Sequence, residues 1–331
     1  MKRFVLHVGL AKTATTSLQN WCYRNRERLR RRGILYPDTV HDERNAAHIQ
    51  FFGALVDNRI ELVLSQLLAT PEPVVLLSAE GLSNRLFDLP DESLRRFREL
   101  TNDVVVDVVV IFRSPQTWVP SLWKQVMIAP NYPEMVSLWQ KGLGSHARTE
   151  AESTWNIAEA KSLRLPREQH MPGLATFREL PRVRYYADRG RVVEDLRTAF
   201  GASTVIIGDY EDGWHMALGP ALGLHIADEE GSERHRESIS DDLAQSIRAL
   251  NELGLPVALR QRILAALVRE EEDRNGLRLV LALRTPGVLE SFSAAHTLRG
   301  EFEDWISSNL VVDDYRWGVV DEVRDLIARH C

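Results

Sequence analysis

The chain has 331 residues, a formal net charge of −6, 44% hydrophobic residues and 27% charged residues. This composition is that of an ordinary soluble globular protein, with enough chain for one large α/β domain or two modest ones. The negative charge argues against a general nucleic-acid binder, and no apolar run is long enough to span a bilayer. The two cysteines, Cys22 and Cys331, lie far apart and suggest no disulfide framework, so we expect a cytoplasmic protein.

The organising element comes first in the chain. Residues 4–8 form a short apolar run typical of a buried strand, a turn follows at residues 9–11, and a helical pattern begins near Thr16. A strand, a small-residue turn and a helix N-terminus together present free N–H groups and a favourable dipole to an anion. We therefore expect a phosphate to bind here. The residues of this predicted site are Lys12, Thr13, Ala14, Thr15, Thr16 and Ser17.

Two histidines, His41 and His48, follow at a spacing of seven residues. This spacing can place both on one face of a helix, but no third ligand completes a zinc signature. Three roles are open to them: metal ligands, polar groups beside a substrate or, for one of them, a general base. A metal site is the weakest of the three, and we expect no bound metal.

A second buried strand is predicted at residues 74–77, and it ends in Ser78, Ala79, Glu80 and Gly81. In open parallel sheets, ligands bind outside the carboxyl ends of the strands. Glu80 is therefore a candidate site residue. The alternative is that Glu80 is a charge at a helix N-terminus or a partner in a salt bridge.

The most β-prone run of the chain ends at Phe112 and is followed directly by Arg113. A serine that can cap a helix comes next, and then Pro115, which suits the first helical position. Arg113 is thus predicted at the carboxyl end of a strand, and Ser121 about two turns into the following helix. Pro120 is expected to bend or loosen that helix.

The remaining patterns complete an α/β prediction. Residues 128–181 contain few strand signals and are expected to form loops and helices. From about residue 232 the composition changes to long helical patterns. We predict a single domain that is a three-layer sandwich with a central, mainly parallel sheet in residues 1–225 and a helical C-terminal part in residues 226–331. Helices are predicted at 16–32, 60–68, 91–100 and 191–200, and strands at 4–8, 74–77, 104–112 and from 204.

Two segments of the chain resemble the nucleotide-binding motifs of sulfotransferases that use 3′-phosphoadenosine 5′-phosphosulfate (PAPS). This family has a P-loop-like fold. KTATTS resembles the family's 5′-phosphosulfate loop, K-[ST]-G-[ST]-[ST], with Ala14 in place of the usual glycine, a change that matters only where this residue needs a positive φ. FRSPQTWVPSLWKQ has an arginine and, eight residues later, a serine, which is the spacing with which the family holds the donor's 3′-phosphate. The residues Tyr210-Glu211-Asp212 resemble a segment common in bacterial members. The resemblance covers residues 4–20 and 108–125 and extends loosely to about residue 225.

The resemblance implies transfer of a sulfuryl group from PAPS to a hydroxyl or amine of a carbohydrate or small molecule, with 3′,5′-adenosine bisphosphate as product. Lys12 is expected to stabilise the departing phosphate, while Arg113 and Ser121 hold the 3′-phosphate. Glu80 stands where cytosolic sulfotransferases carry a histidine base and some carbohydrate sulfotransferases a glutamate. We therefore expect Glu80 to be the base, with His48 as the second candidate. The loops and helices of residues 128–181 are expected to cover the acceptor site. Metal is not expected to be required.

Two alternatives stay open. A P-loop kinase-like phosphotransferase shares the sheet and the loop, but it needs Mg²⁺ ligands and a longer phosphate loop. A catalytically inactive nucleotide-binding protein of the same fold is the other alternative, because a fold does not determine a function. The expected partners are a carbohydrate or small-molecule acceptor and, as an open possibility, a second copy of the chain.

Overall fold

The computed structural model describes residues 1–38, 46–129, 132–141 and 172–227, together with Ala244, Ile247, Arg248 and Asn251. The predicted helical C-terminal part lies almost entirely outside these residues, as does His41. The described residues belong to two compact units. The first contains residues 1–122, 141 and 179–227, and the second contains residues 123–140, 172–178 and the four isolated positions.

One five-stranded sheet forms the centre of the first unit. The strands are β1 (Arg3–His7), β2 (Ile34–Leu35), β3 (Val74–Ser78), β4 (Val105–Phe112) and β5 (Thr204–Asp209). Their order is β2-β3-β1-β4-β5, and every pairing between them is parallel. The predicted α/β class and parallel sheet are confirmed, and the arrangement is consistent with a three-layer sandwich.

Helices connect the strands. Those of the first unit are α1 (Thr15–Arg24), α2 (Arg26–Arg30), α3 (Ile49–Val56), α4 (Ile60–Leu68), α5 (Gly81–Asn84), α6 (Asp91–Leu100), α10 (Pro181–Ala187), α11 (Arg189–Phe200) and α12 (His215–Leu222). Helix α7 (Pro115–Ile128) begins in the first unit and ends in the second, which also contains α8 (Tyr132–Gln140) and α9 (Leu174–Arg178). No helix in the described ranges is both long and apolar enough to cross a membrane.

Apolar side chains cover both faces of the sheet. Val5 and Val109 are fully buried and belong to a cluster that includes residues of α1 and α12. Because side chains alternate along a strand, Val108 points to the opposite face, where it is also fully buried. Helices α6 and α11 pack together through Phe97 and Phe200, whose ring centroids are 5.8 Å apart. Burial on both faces explains why these strands read as continuous apolar runs.

The predicted helix at residues 16–32 is in fact two helices that meet at Asn25. The N–H and the side-chain amide of Asn25 both donate to the carbonyl of Trp21, each at 3.0 Å. An asparagine whose side chain bonds the backbone in this way competes with the regular helix. Helix α1 therefore ends at Arg24, one residue before Asn25. Gly33 has a φ of 77° after the turn that follows α2, a conformation that suits a glycine beyond a helix C-terminus.

The position of β1 in the sheet brings the candidate residues to one edge. The last residue of β1, His7, pairs with Ser78 of β3 on one side and with Val109 of β4 on the other. Parallel strands have their carboxyl ends at the same edge of a sheet. The segments that contain Lys12, Glu80 and Arg113 follow β1, β3 and β4 respectively, and all three therefore start from this edge.

Candidate functional site

The segment Gly9–Ser17, which we call the anion cradle, contains two left-handed residues. Lys12 has a φ of 65° and Ala14 a φ of 61°, while Thr13 between them is not in the positive-φ region. Such an alternation turns successive N–H groups toward a common side and forms a nest for an anion. The position at which the resembled motif has glycine does adopt a positive φ here, and Ala14 carries the resulting strain.

The first turn of α1 supplies the remaining donors of the anion cradle. The hydrogen-bond ladder of this helix begins at Leu18, whose N–H donates to the carbonyl of Ala14 at 3.1 Å. The N–H groups of Thr15, Thr16 and Ser17 precede this ladder, as the first donors of any helix do. The helix dipole also places partial positive charge there. An anion at this end of α1 is therefore favoured.

Two of the predicted hydroxyl ligands donate within the loop. The hydroxyl of Thr13 donates to the carbonyl of Leu10 at 2.6 Å, and that of Thr15 donates to the same carbonyl at 3.3 Å. Both threonines are buried, whereas Thr16 is half-buried. Thr13 and Thr15 therefore offer an anion their N–H groups, while Thr16 has the more accessible hydroxyl.

Side chains from the two neighbouring strand ends hold the loop in place. Ser83 of α5 donates through its hydroxyl to the carbonyl of Gly9 at 2.8 Å. The N–H of Ala11 donates to the side-chain oxygen of Asn84 at 3.2 Å, and the indole Nε1 of Trp118 donates to the carbonyl of Ala11 at 2.8 Å. These bonds use both polar backbone groups of Ala11 and thereby fix its orientation.

Ser83, Asn84 and Trp118 were not predicted from the sequence as residues of the site. Ser83 and Asn84 come shortly after Glu80, so polar residues following a buried strand were the available signal. Trp118 lies within the Arg113 block, but nothing in the sequence indicates that its indole reaches the other loop.

Gly9 is required by close packing. A Cβ at this position would lie 2.5 Å from the hydroxyl oxygen of Thr15 and 2.9 Å from Cε1 of His7. Both distances are shorter than van der Waals contact, so any larger residue would displace the anion cradle.

Arg113 is held in one orientation without an acidic partner. Its Nε donates to the hydroxyl of Thr117 at 3.0 Å, and its guanidinium carbon lies 4.6 Å from the centroid of the Tyr210 ring. Within the part of the chain that the structure describes, no carboxylate forms an ion pair with it. Arg189, by contrast, pairs with Asp209 at 2.6 Å. The two terminal nitrogens of Arg113 are thus available for a planar, two-point contact with an oxyanion.

Ser121 lies on α7, which continues through Pro120 to Ile128. Residues three apart on a helix share a face. Ser121 is therefore on the same side of α7 as Trp118, which contacts the loop of the anion cradle, and both side chains are buried.

Glu80 lies half-buried immediately before α5. Its carbonyl accepts the N–H groups of Ser83 and Asn84 at 3.2 Å and 3.0 Å, and its side chain makes no capping bond to that helix. The preceding residue, Ala79, donates its N–H to the carbonyl of His7 at 3.1 Å, which fixes this segment beside the end of β1.

His48 is fully buried and binds the end of β3. Its Nδ1 accepts the N–H of Ser78 at 2.8 Å, its own N–H donates to the carbonyl of Ser78 at 2.8 Å, and its Nε2 donates to the carbonyl of Pro37 at 3.0 Å. Both ring nitrogens are therefore occupied by backbone groups. This geometry favours a structural role for His48 over that of a base that receives a proton from a substrate.

A second buried histidine, His7, lies directly before the anion cradle. Its Nδ1 is 2.7 Å from the hydroxyl oxygen of Ser78, which also accepts a hydrogen bond from Gln19 at 3.1 Å. Its Nε2 has no hydrogen-bond partner among the described residues. Burial lowers the pKa of His7 to about 3, so this imidazole is neutral near pH 7.

Within the described ranges, no group of three or more His, Cys, Asp or Glu side chains is arranged to hold a metal ion. Comparisons with protein-family models, with curated proteins and with solved structures find no match to this chain. A function must therefore be argued from the geometry of the site.

The strain at Ala14 generates a first prediction. Glycine adopts this φ without the cost of about 1–2 kcal/mol that a left-handed alanine carries, although it is more flexible in the unfolded chain. Ala14→Gly should therefore raise the free energy of unfolding by roughly 0.5–1 kcal/mol in urea denaturation. The matched control is Ala69→Gly, at an exposed right-handed position with φ −75° at the end of α4. It should lower the same quantity by about 0.5–1 kcal/mol, and equal effects of the two changes would contradict the prediction.

The buried His7 generates a second prediction. The ordinary pKa of histidine is about 6.5, so the unfolded chain takes up a proton that the folded protein does not as the pH falls toward 3. This group alone should reduce the free energy of unfolding by up to about 1.4 kcal/mol per pH unit in that window. His7→Gln should make the decline between pH 6 and pH 4 shallower. His225→Gln, at an exposed position, is the control. Parallel curves for wild type and His7→Gln would show that His7 does not contribute.

Proposed function

We propose that this chain is a sulfotransferase that transfers the sulfuryl group of PAPS to a hydroxyl or amine of a carbohydrate or small molecule. The observation that carries the proposal is the position and state of Arg113. It is an oriented arginine with no carboxylate partner in the described residues, at the end of the strand next to the one that precedes the anion cradle. Two anion-binding places on adjacent strand ends suit a ligand with two separate anionic groups.

The donor has these two groups on opposite sides of one ribose. The anion cradle would bind the 5′-phosphosulfate through the N–H groups from Lys12 to Ser17 and the Lys12 ammonium. Arg113 and Ser121 would bind the 3′-phosphate, for which the planar guanidinium is well suited. The adenosine between them would then cross from the end of β1 to the end of β4.

The transfer step follows from these assignments. The acceptor oxygen or nitrogen forms a bond to sulfur while the bond from sulfur to the 5′-phosphate oxygen breaks, and 3′,5′-adenosine bisphosphate leaves. Lys12 and the N–H groups of the anion cradle stabilise the charge that grows on the leaving phosphate. Glu80 is half-buried and follows β3, whose carboxyl end lies at the same edge of the sheet. It takes the proton of the acceptor.

The loop geometry favours this donor over ATP. The N–H of Ala11 already donates to Asn84, so the series of available donors begins only after it. A longer P-loop uses such groups to bind a second phosphate. In addition, β4 is followed by Arg113 rather than by the acid that would hold Mg²⁺ in a phosphotransferase.

The recognition of the donor is tested by calorimetry with adenosine 3′,5′-bisphosphate, adenosine 5′-phosphate and ATP. Wild type should bind the bisphosphate most tightly. Arg113→Gln should weaken this binding by about ten- to hundredfold, which corresponds to the free energy of hydrogen bonds to a charged group. The affinity for adenosine 5′-phosphate should stay nearly unchanged. Arg197→Gln, on the exposed side of α11, is the control. Tighter binding of ATP than of the bisphosphate would favour a phosphotransferase instead.

The roles in catalysis are tested by transfer of labelled sulfate from PAPS to a panel of saccharides, lipid head groups and small phenols and amines. Lys12→Ala should reduce turnover by about 10²–10³-fold because the leaving phosphate loses its charge partner. Glu80→Gln should reduce it by about 10²–10⁴-fold while the affinity for adenosine 3′,5′-bisphosphate is retained.

The comparison variant is His48→Asn. It should lower the free energy of unfolding, because three bonds to the backbone are disturbed, and affect turnover only in proportion to unfolding. If His48→Asn abolished turnover in a folded protein while Glu80→Gln did not, the assignment of the base to Glu80 would be wrong. Binding of the bisphosphate without transfer to any acceptor would point to an inactive nucleotide-binding protein.

A further inference from the structure

The peptide group between Ala11 and Lys12 is oriented by a buried indole. Trp118 has 2% of its surface exposed, and its Nε1 donates to the carbonyl of Ala11 at 2.8 Å. A trans peptide is planar, and its C=O and N–H point in opposite directions. The carbonyl of Ala11 is directed toward the buried indole, so the N–H of Lys12 is directed away from it and can take part in the nest that the left-handed Lys12 and Ala14 form.

The same peptide has a second arrangement that would not bind an anion. Rotation of the Ala11–Lys12 peptide would direct the carbonyl toward the anion cradle and the N–H of Lys12 into the interior. The observed arrangement requires the left-handed conformation of Lys12, with a φ of 65°, which is unfavourable for a residue with a side chain. An interaction elsewhere must therefore stabilise it, and the bond from Trp118 acts directly on this peptide.

We propose that Trp118 is the positioning residue that holds the Ala11–Lys12 peptide in its anion-binding orientation. Trp118 would not contact the anion itself and acts through the N–H of Lys12. The affinity for an anion in the cradle should then depend on the indole N–H, whereas binding at Arg113 should not. For nucleotides the inference rests on the proposed function, but for a simple phosphate it does not.

The chain offers a matched control for this bond. Trp123 is also on α7 and also has 2% of its surface exposed, and its Nε1 donates to the carbonyl of Pro172 at 2.9 Å, not to the loop. Trp118→Phe and Trp123→Phe each remove an indole N–H from a backbone carbonyl. The two changes should cost similar stability, but only the first should alter the anion cradle.

The first experiment compares two ligands by calorimetry. Trp118→Phe should weaken the binding of adenosine 3′,5′-bisphosphate by about three- to tenfold, the worth of one hydrogen bond, and leave adenosine 3′-phosphate, which lacks the 5′-phosphate, unchanged. Trp123→Phe should alter neither affinity. An unchanged affinity for the bisphosphate, or an equal loss for both ligands, would overturn the inference.

The second experiment follows the Lys12 amide itself. The chain has five lysines, so labelling lysine with ¹⁵N gives a simple amide spectrum. Titration with inorganic phosphate should shift the Lys12 signal in wild type and in Trp123→Phe, and Trp118→Phe should need about three- to tenfold more phosphate for the same shift. A Lys12 signal that ignores phosphate in wild type, or responds equally in all three proteins, would overturn the inference.

These outcomes separate the inference from the proposed function. If phosphate shifts the Lys12 signal in a Trp118-dependent manner but adenosine 3′,5′-bisphosphate does not bind, the positioning role stands and the sulfotransferase proposal fails. If the bisphosphate binds equally well to wild type and Trp118→Phe, the positioning role fails alone. Where phenylalanine unfolds the chain, benzothienylalanine at position 118 keeps the ring shape, replaces the N–H with sulfur and gives the same test.

Discussion

The parallel pairing of β1 with both β3 and β4 is the constraint on which the site depends. Because His7 pairs with Ser78 and Val109, the three strand ends and the segments after them start from one edge of the sheet. At a strand end the backbone donors and acceptors no longer have ladder partners, so side chains or ligands must satisfy them. Here His48 binds the end of β3, and the helices that follow β3 and β4 bind the loop after β1. The same constraint gathers Lys12, Glu80 and Arg113.

The anion cradle combines backbone strain with bonds that resist it. Two residues with side chains, Lys12 and Ala14, are left-handed within three positions, and such conformations persist only where the surroundings determine them. Ser83, Asn84 and Trp118 supply these surroundings through three hydrogen bonds to Gly9 and Ala11. Strain of this kind is often concentrated at binding sites, because it directs N–H groups outward before a ligand arrives.

Salt bridges distinguish three arginines with structural roles from Arg113, the candidate ligand residue. Arg182 is fully buried against Asp88, Arg3 lies beside Asp107, and Arg189 pairs with Asp209. Each of these cations is neutralised within the protein. Arg113 is instead oriented by a hydroxyl and an aromatic ring, two neighbours that do not cancel its charge. A cation held in this way favours an oxyanion, which is why the proposed 3′-phosphate contact is centred on it.

The sequence by itself determined four of the five strands and three of the helices, α4, α6 and α11, to within two residues. The apolar runs at residues 4–8, 74–77 and 104–112 predict β1, β3 and β4 to within one residue at each end, and the turn residues after them predict where the chain leaves each strand. Helices α4 and α6 match their predicted ranges because their apolar periodicity is regular.

Only the tertiary structure decided the left-handed conformation of Lys12 and Ala14, the inward hydroxyls of Thr13 and Thr15, the backbone bonds of His48 and the contact from Trp118 to Ala11. Local patterns encode which face of an element is buried, but a hydrogen bond between residues more than a hundred positions apart depends on how the strands are ordered in the sheet.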